Sequence, residues 1–442
     1  MLLGAQLVGN AGLFVAVLLI ARALGPEGRG TTAFILVTAQ VVAILAGVGL
    51  PQATMVQAAQ PAQRALLLTN LILFATAAAG VIAVVASFGL LLLGELRPSA
   101  VGPRELLILI AAIIANALFT AGDHFLLGCG RLVQRSLVVA TWPWLYVAVV
   151  VAFSRSLGLD AALVVVAWTV CQAAAALWLL GACVRGIGLV RPQLALLVTS
   201  LRFGLRLWAG SVAQFLNFRV DQILMGFIST QTALGIYAVA VNVAELLLYL
   251  PGAVSTALLP LIARSVPARR LGQTVEALRF LFVATAASVV VAVLIGPPLM
   301  PLVFGPAFAD SVRPFLWLLP GAFGFAAMRV FTSSLLGASA PTLASYGAVT
   351  SLFVGLALDL ALVPPFGADG AAAAASIAFL AGGLAAGFAY RARTPFAWRV
   401  LFVRGAPEAR LQSGVDEYAA GLRSSPQDRP DEQSSSAEQR IE

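Results

Sequence analysis

The polar residues of this 442-residue chain that could do chemistry lie inside stretches that are otherwise apolar. Residues 201–228 hold the densest group: Gln214, Asn217, Arg219, Asp221 and Gln222. One charge near the centre of a bilayer costs at least about 2.5–3.5 kcal/mol on insertion scales. We therefore expect these side chains to face a polar, water-filled cavity between helices and not the lipid.

The spacing of these residues places Asp221 and Arg219 on different faces of a helix. Gln214, Asn217 and Asp221 fall on one stripe of a helix, while Arg219 lies on the neighbouring flank. Arg219 and Asp221 are therefore not expected to pair with each other. An arginine presents a planar fork of N–H donors that suits phosphate, so Arg219 is the first candidate for binding an anionic group.

Other candidates are spread over the chain. Arg329 and Arg22 are expected to extend a cationic path for a phosphate, and Asn10, Asn217 and Gln214 are expected to assist. Three acids, Asp221, Glu245 and Asp359, are candidates for coupling transport to H⁺ or Na⁺. In the structural alternative, these acids neutralise Arg219 or Arg329 and the pairs only tie helices together.

No sequence pattern indicates an enzyme. There is no GxSxG, HExxH or Walker sequence, and the cysteines 129, 171 and 183 lack metal-ligand spacing. His124 could relay a proton, although a histidine at a helix end near the headgroups is the commoner situation. We expect neither a cofactor nor a metal, apart from a coupling ion.

Composition sets the class of protein. Hydrophobic residues make up 60% of the chain, charged residues 10%, and the mean hydropathy is +0.96. These values predict a polytopic membrane protein. The net charge of +8 does not indicate nucleic-acid binding, because the arginines lie between apolar spans and in the tail. The first apolar stretch begins almost at Met1 without a basic leader, so no cleavable signal peptide is expected.

Hydropathy predicts an all-α fold with about twelve transmembrane helices. Most arginines of the connecting segments fall on the side that holds both termini, which predicts cytoplasmic termini. Arg29 is assigned to an outer loop. The predicted spans are 2–24, 31–51, 65–93, 104–128, 132–153, 160–184, 201–228, 233–262, 276–304, 313–337, 341–364 and 370–391.

An internal repeat organises these spans into two parallel six-helix lobes around a central cavity. Gly158 and Asp160 match Gly367 and Asp369, and Gly30 matches Gly235. Six spans per half return the chain to the same side, so the repeats are parallel. The predicted organisation is an N-terminal lobe at 1–185, a cytoplasmic linker at 186–200, a C-terminal lobe at 201–391, an amphipathic interfacial segment at 392–412 and a disordered tail at 413–442.

Three segments resemble the polysaccharide transporter (Wzx-like) family of the multidrug/oligosaccharidyl-lipid/polysaccharide exporter superfamily. They are ARALGPEGRGTTAFILV with GVGLP, ending at Pro51; the segment FRVDQILMGFISTQTALGIYAVAVNVAELLLYLPGAVSTALLPLIAR, ending at Arg264; and LDLALVPPFGADGAAAA, ending at Ala374. The resemblance implies bacterial flippases that move undecaprenyl-pyrophosphate-linked oligosaccharides from the inner to the outer leaflet by alternating access. It also implies the plasma membrane as the location. The polar tail departs from lipid II flippases, which have two further C-terminal helices.

The expected function is therefore a flippase of cell-surface polysaccharide biosynthesis. Its expected partners are the bilayer, a lipid-linked oligosaccharide and a polysaccharide polymerase or glycosyltransferases, and not nucleic acid. The alternatives are an ion-coupled multidrug-type antiporter, which would need an acidic cavity, and a membrane glycosyltransferase or polymerase, which would need a large outer loop. A purely structural membrane anchor would leave the buried charges unexplained.

Overall fold

The computed structural model describes residues 2–94, 98, 101–156 and 158–394, and within them it contains helices and short 3₁₀ turns but no strand. The all-α polytopic prediction is confirmed. Residues 395–442, which hold most of the predicted interfacial segment and all of the predicted tail, lie outside this description. The helices are α1 Leu2–Ala46, α2 Leu50–Gln57, α3 Arg64–Leu92, α4 Pro103–Gly128, α5 Leu132–Ser156, α6 Ala161–Ile187, α7 Leu194–Leu216, α8 Val220–Ile228, α9 Gln231–Arg264, α10 Pro267–Phe304, α11 Val312–Leu318, α12 Gly321–Gly337 and α13 Pro341–Arg393.

Eight of the described helices are long and apolar enough to cross a membrane. A ninth span is formed if α11, together with the 3₁₀ turn before it, is counted with α12 as one bent span. Two of the eight, α1 and α13, are too long to be one span each. With 45 and 53 residues and a rise of about 1.5 Å per residue, each would far exceed a hydrocarbon core of about 30 Å. Each is broken once, at a glycine with positive φ. If the two halves of α1 and the two halves of α13 are counted separately, and α7 with α8 is counted as one interrupted span, the total is the predicted twelve spans.

The break in α13 is a hairpin. At Gly367 the backbone adopts φ 52°, a conformation open to glycine because it has no Cβ. Gly347 then lies against Gly382, and Gly355 lies against Ala378, so the two halves run antiparallel. In α1 the break is at Gly25, with φ 66°, just before Pro26.

The internal repeat is visible in the structure as two equivalent ion pairs. Arg104 lies 3.3 Å from Asp160 in the first half, and Arg313 lies 3.2 Å from Asp369 in the second. The two arginines are separated along the chain by the same interval as the two aspartates. Each aspartate follows a glycine of positive φ, Gly158 or Gly367. The two lobes therefore share local geometry as well as helix order.

The connection between the lobes is shorter than the predicted linker 186–200. Helix α6 ends at Ile187 and α7 begins at Leu194. The side chain of Asn70 on α3 holds this segment, since its amide donates to the Gln193 carbonyl at 3.0 Å and accepts from the Gln193 N–H at 3.1 Å. A buried asparagine that satisfies both backbone groups fixes the path of the chain.

The two lobes meet along two seams. In the first, Asn10 on α1 donates to the Tyr249 hydroxyl on α9 at 2.9 Å. In the second, Trp208 on α7 donates to the Ile44 carbonyl at 3.0 Å. Ile44 and Tyr249 are equidistant along the chain from the repeat-related Gly30 and Gly235, so one partner in each seam occupies an equivalent position in the repeat.

Candidate functional site

The predicted span 201–228 is not one helix, which corrects the sequence analysis. Helix α7 ends at Leu216 and α8 begins at Val220. The interruption is held by Asn217, whose side-chain amide donates to the Ala213 carbonyl at 2.9 Å and to the Ala348 carbonyl at 2.7 Å. Ala348 lies on α13, so a distant helix stabilises the break. The break turns the following side chains inward.

Behind this break lies a cavity within the C-terminal lobe. It has about 490 Å³ of empty volume, and its polar lining residues are Asn217, Asp221, Tyr237 and Glu245. The Tyr237 hydroxyl donates to one oxygen of Asp221, and the Gln222 backbone N–H donates to the other at 2.7 Å. The acids predicted to face a central cavity between the lobes are thus arranged inside one lobe.

A second, smaller chamber adjoins the first and shares Asn217 and Asp221 with it. It has about 270 Å³ of empty volume, and Ser351 and Asp359 line it. Asp359 is only 2% exposed. The Asp359 Oδ1 and Ser351 Oγ atoms are enclosed and have no hydrogen-bond partner within the described residues. An enclosed carboxylate oxygen without a donor, such as Oδ1 of Asp359, can take up a proton or a small cation.

Arg219 pairs with Glu245. The Nη1 atom lies 2.6 Å from Oε1 of Glu245, and the two side chains are 22% and 25% exposed. Arg219 also donates to the Phe218 carbonyl at 3.0 Å. The expectation that Arg219 does not pair with Asp221 is confirmed. Glu245 also lines the acidic cavity. Arg219 is therefore connected to that cavity through its ion pair with Glu245.

The remaining predicted ligands are not gathered around Arg219. Arg22 donates to the Leu302 and Val303 carbonyls at the end of α10, at 2.6 and 2.7 Å. Gln214 is exposed, and Asn10 contacts Tyr249 in the first seam. The guanidinium groups of Arg219 and Arg22 are thus both engaged with protein, and the binding roles of these residues stay predictions.

Arg329 differs from Arg219 and Arg22. It is half-buried on α12, and within the described residues its side chain has neither a carboxylate partner nor a hydrogen bond. Its backbone carbonyl accepts a hydrogen bond from Ser255 at 3.1 Å. Ser255 lies ten residues beyond Glu245 on α9, which is about 15 Å of helix rise. Arg219, which pairs with Glu245, and Arg329, which lies beside Ser255, are therefore at different levels along α9.

The sequence analysis missed Arg29. It was assigned to an outer loop, but it lies in the first helical turn after Gly25 and is only 7% exposed. The internal repeat contained a signal for the burial of Arg29. Arg29 directly precedes Gly30, just as Leu234 directly precedes the repeat-related Gly235, and Leu234 is fully buried. A residue at that position was therefore to be expected inside the protein.

The backbones of the two lobes touch beside Arg29. A Cβ placed on Gly30 would lie 1.8 Å from the Gln231 carbonyl oxygen, and one on Gly235 would lie 1.8 Å from the Pro26 carbonyl oxygen. We call this reciprocal crossing of Pro26–Gly30 with Gln231–Gly235 the outer seal, after its predicted side of the membrane. Only glycine permits so close an approach.

The described residues contain no group of three or more His, Cys, Asp or Glu side chains arranged to hold a metal ion. Asp221 accepts from Tyr237 and the Gln222 N–H, Glu245 pairs with Arg219, and Asp359 Oδ1 has no partner within the described residues. The chemistry available to them is the binding and release of a proton or of one small cation.

Comparison with known proteins identifies the class. Residues 1–266 match the model of the family described as polysaccharide biosynthesis protein. None of the curated protein sequences matches the chain significantly. The fold is similar to that of solved flippases and multidrug transporters, one of which is described as belonging to the MOP superfamily.

Solved structures share the fold at low sequence identity. A lipid II flippase MurJ in an inward closed conformation is 14% identical, with a TM-score of 0.73 over 96% of this chain and 92% of that one. A multidrug resistance MATE family transporter of the MOP superfamily is 13% identical in its inward-facing conformation, with a TM-score of 0.71 over 87% and 94%.

A transporter of that description in the outward-facing conformation is 14% identical and has a lower TM-score, 0.59, over 88% and 92%. The shape of the chain, with its outer seal closed, is thus more similar to the inward-facing form. The family match covers more than half of the chain, and the helical fold is shared with the solved flippase and transporters. This chain belongs to the polysaccharide biosynthesis protein family.

Proposed function

We propose that the protein is a flippase that carries an undecaprenyl-pyrophosphate-linked oligosaccharide from the inner to the outer leaflet of the bacterial plasma membrane. The observation that carries the proposal is the match of residues 1–266 to the polysaccharide biosynthesis family. A solved structure of this fold is a lipid II flippase. Glycosyltransferases would supply the substrate, and a polymerase would consume it.

Transport would proceed by alternating access. The contact at the crossing itself is between backbones, and one helical turn further along α1 the Phe34 ring packs against Phe227 of α8. Rocking of one lobe against the other would open that seal and close the opposite end. The polar head would cross between the lobes while the polyprenyl tail stays in the bilayer, so that no long apolar chain has to enter a polar space.

Arg219 would bind the pyrophosphate, with Arg329 and Arg22 along the path and Asn10, Asn217 and Gln214 assisting. The anionic head would take the place of Glu245 on the guanidinium, because it accepts from the same N–H donors. Asp221, Glu245 and Asp359 would be the groups that couple this exchange to H⁺ or Na⁺.

The test is flipping by the full chain in vesicles that contain an NBD-labelled undecaprenyl-pyrophosphate oligosaccharide. A membrane-impermeant reductant reports the fraction of labelled lipid in the outer leaflet. Arg219→Ala is expected to abolish flipping while insertion is unchanged. Arg313→Ala is the matched control, because Arg313 is 77% exposed and pairs only at the surface with Asp369.

A second variant separates binding from helix packing. Arg219→Gln combined with Glu245→Gln removes the ion pair without leaving an unpaired charge. If the pair is only structural, this double variant flips lipid normally. We expect it to insert and unfold as the wild type does and to be inactive in flipping, and full flipping would contradict the role of Arg219.

A second candidate function is an ion-coupled multidrug-type antiporter. The acidic chambers of the C-terminal lobe favour it, because a cationic drug needs carboxylates, and one similar structure is a multidrug transporter. It predicts that expression raises resistance to cationic drugs and that Asp221→Asn removes that resistance. No change in resistance, together with flipping of the labelled lipid, would eliminate it.

A further inference from the structure

A groove lies between α5 and α6 on the surface of the N-terminal lobe, and we call it the α5–α6 groove. It has about 750 Å³ of empty volume. Its rim residues Leu137, Leu145 and Trp178 are 55%, 49% and 42% exposed, so the groove opens to the surroundings of the protein. Exposed apolar side chains on a membrane-spanning helix face lipid. The groove therefore opens towards the hydrocarbon of the bilayer.

The groove exists because short side chains line it on the α6 side. Cys171 and Ala174 occupy one stripe of α6, and neither is long enough to fill the space beside α5. The floor is Trp142, whose ring packs edge-on against Phe119 and Trp168, with ring centroids 5.8 and 6.4 Å apart. A floor held by two further aromatic rings is rigid. The groove is therefore preformed, as ligand sites usually are.

Two arginines lie at one end of the groove, where α5 begins and α6 ends. Arg131 reaches from α5 to α6: its Nη1 atom donates to the Ala182 carbonyl at 3.1 Å, and a Cβ added to Gly186 would meet its guanidinium. Arg185 directly precedes Gly186 and is exposed in the last turn of α6. Within the described residues neither arginine forms an ion pair. This end of the groove thus carries positive charge without a protein counter-charge.

The apolar groove and its cationic end form one continuous surface. Arg185 lies on the same stripe of α6 as Ala174 and Trp178, seven residues beyond Trp178 and about 10 Å of helix rise from it. Gly181 lies between them, and a Cβ added there would meet no atom within 4 Å. No side chain therefore blocks the path from the groove to Arg185.

We propose that the α5–α6 groove binds a phospholipid with an anionic headgroup. One acyl chain lies along Leu137 and Trp178, and the phosphate accepts from Arg185 and Arg131. Arginines are suited to phosphate oxygens, and basic pockets between transmembrane helices on the cytoplasmic side bind anionic headgroups. The cationic end is on the predicted cytoplasmic side. The proposal goes beyond the proposed function, because it concerns a lipid of the bilayer and not the cargo.

The length of the groove favours an acyl chain over a polyprenyl tail. On α5 the lining extends from Leu137 to Leu145, which is about 12 Å of helix rise. One leaflet of a hydrocarbon core about 30 Å thick is about 15 Å deep. A chain that is anchored at the cationic end therefore terminates near the end of the groove. The tail of undecaprenyl pyrophosphate is longer than one leaflet is thick, and most of it would lie outside.

The experiment uses quenching of tryptophan fluorescence by bromine in the acyl chains of a lipid. The full chain is placed in phosphatidylcholine vesicles that contain a small fraction of brominated phosphatidylglycerol, which is anionic, or of brominated phosphatidylcholine. Comparison with Trp178→Phe gives the part of the quenching that belongs to Trp178. In the wild type, we expect brominated phosphatidylglycerol to quench Trp178 at a lower mole fraction than brominated phosphatidylcholine does.

The variants separate the headgroup from the chain. Arg185→Gln should lower the preference for phosphatidylglycerol about fivefold, the effect of one arginine near an anionic lipid surface. Arg131→Gln should lower it too, and Arg131→Lys, which keeps the charge, should not. Ala174→Phe fills the groove from an exposed position and should abolish the quenching of Trp178 by both lipids. The matched control is Arg264→Gln, because Arg264 is also exposed in the last turn of a helix on the predicted cytoplasmic side.

Several results would overturn the proposal. They are equal quenching by the two brominated lipids in the wild type, an unchanged preference in Arg185→Gln, and an equal loss in Arg264→Gln. Unchanged quenching in Ala174→Phe would place the acyl chain outside the groove. Displacement of the brominated lipid by undecaprenyl phosphate, but not by unlabelled phosphatidylglycerol, would assign the groove to the tail of the cargo instead.

The result is independent of the flipping assay. A wild type that flips the labelled lipid but shows no preference for phosphatidylglycerol would keep the proposed function and lose this site. A wild type that binds phosphatidylglycerol through Arg185 but does not flip the labelled lipid would keep the site and contradict the proposed cargo.

Discussion

The interiors of the two lobes differ although their folds are related. The cavity of the C-terminal lobe is lined by Asp221 and Glu245 and continues to Asp359. A cavity of about 380 Å³ in the N-terminal lobe is lined mainly by apolar side chains, with Gln52 and Thr120 as its polar members. One helical framework thus holds a cavity lined by carboxylates in one half and a cavity without charged lining residues in the other.

The largest effect should come from replacing the central acid. Asp221→Asn removes the ionisable group but keeps the size of the side chain. We expect the response of flipping to an imposed H⁺ or Na⁺ gradient to fall about 5- to 150-fold, the range of typical coupling energies. The vesicle assay with and without a gradient measures it. The matched change in the N-terminal lobe, Gln52→Leu, should alter the rate by less than about twofold. Equal losses in both variants would abolish the distinction between the lobes.

The second effect tests a contact to which the lobes contribute equally. Gly235→Ala and Gly30→Ala each place a Cβ 1.8 Å from a carbonyl oxygen of the other lobe. Each substitution should lower the free energy of unfolding by about 3 kcal/mol, the upper end of the range typical of overpacking. Each should also favour opening of the outer seal. Labelling of a cysteine introduced at position 34 should become faster. Gly252→Ala on the same helix α9 is the control, because no atom lies within 4 Å of its added Cβ.

A smaller effect compares two buried tyrosines. The Tyr237 hydroxyl donates to Asp221, whereas that of Tyr146 has no acceptor among the residues that the structure describes. Tyr237→Phe should lower the free energy of unfolding by about 1.5 kcal/mol, because a charged group loses a donor. Tyr146→Phe should change it by less than about 0.5 kcal/mol. Denaturation in matched detergent tests the pair, and a larger cost for Tyr146→Phe would reverse the comparison.

The smallest effect concerns the repeat-related surface ion pairs. Arg104→Ala and Arg313→Ala break equivalent contacts with Asp160 and Asp369. Each should cost about 0–1 kcal/mol, since exposed ion pairs are screened by water and salt, and the two costs should agree. Unfolding at two salt concentrations tests this, and a marked difference between them would show that the lobes differ at the surface as well as inside.

Much of the fold follows from the sequence because bilayer thickness dictates the length of each apolar run. The repeat was readable from Gly158, Asp160, Gly367 and Asp369, since turn geometry is local. The acids of the C-terminal lobe stood out because a charge in an apolar run is costly wherever it lies. Glu245 was therefore a candidate before its partner was known.

The rest depended on contacts remote in sequence. The break after Leu216 needs the Ala348 carbonyl, which local periodicity does not reveal. The pairing of Arg219 with Glu245 needs the packing of α8 against α9. Arg29 was misplaced because a charged residue next to a turn ordinarily faces water, and only the crossing of the lobes at Gly30 encloses it.

The glycine crossing at the outer seal has a mechanical consequence. Because only backbones meet at the crossing itself, it can serve as a pivot for the second half of α1, and the neighbouring contact of Phe34 with Phe227 would have to part as α1 tilts. Helix α1 ends at Ala46, about 24 Å of helix rise from the crossing and just before Gly49, which lies against Gly204 of α7. A tilt of about 10° at the pivot would displace that end by about 4 Å over this lever arm. A small change in tilt at one membrane face is therefore enough to separate the helices at the other face.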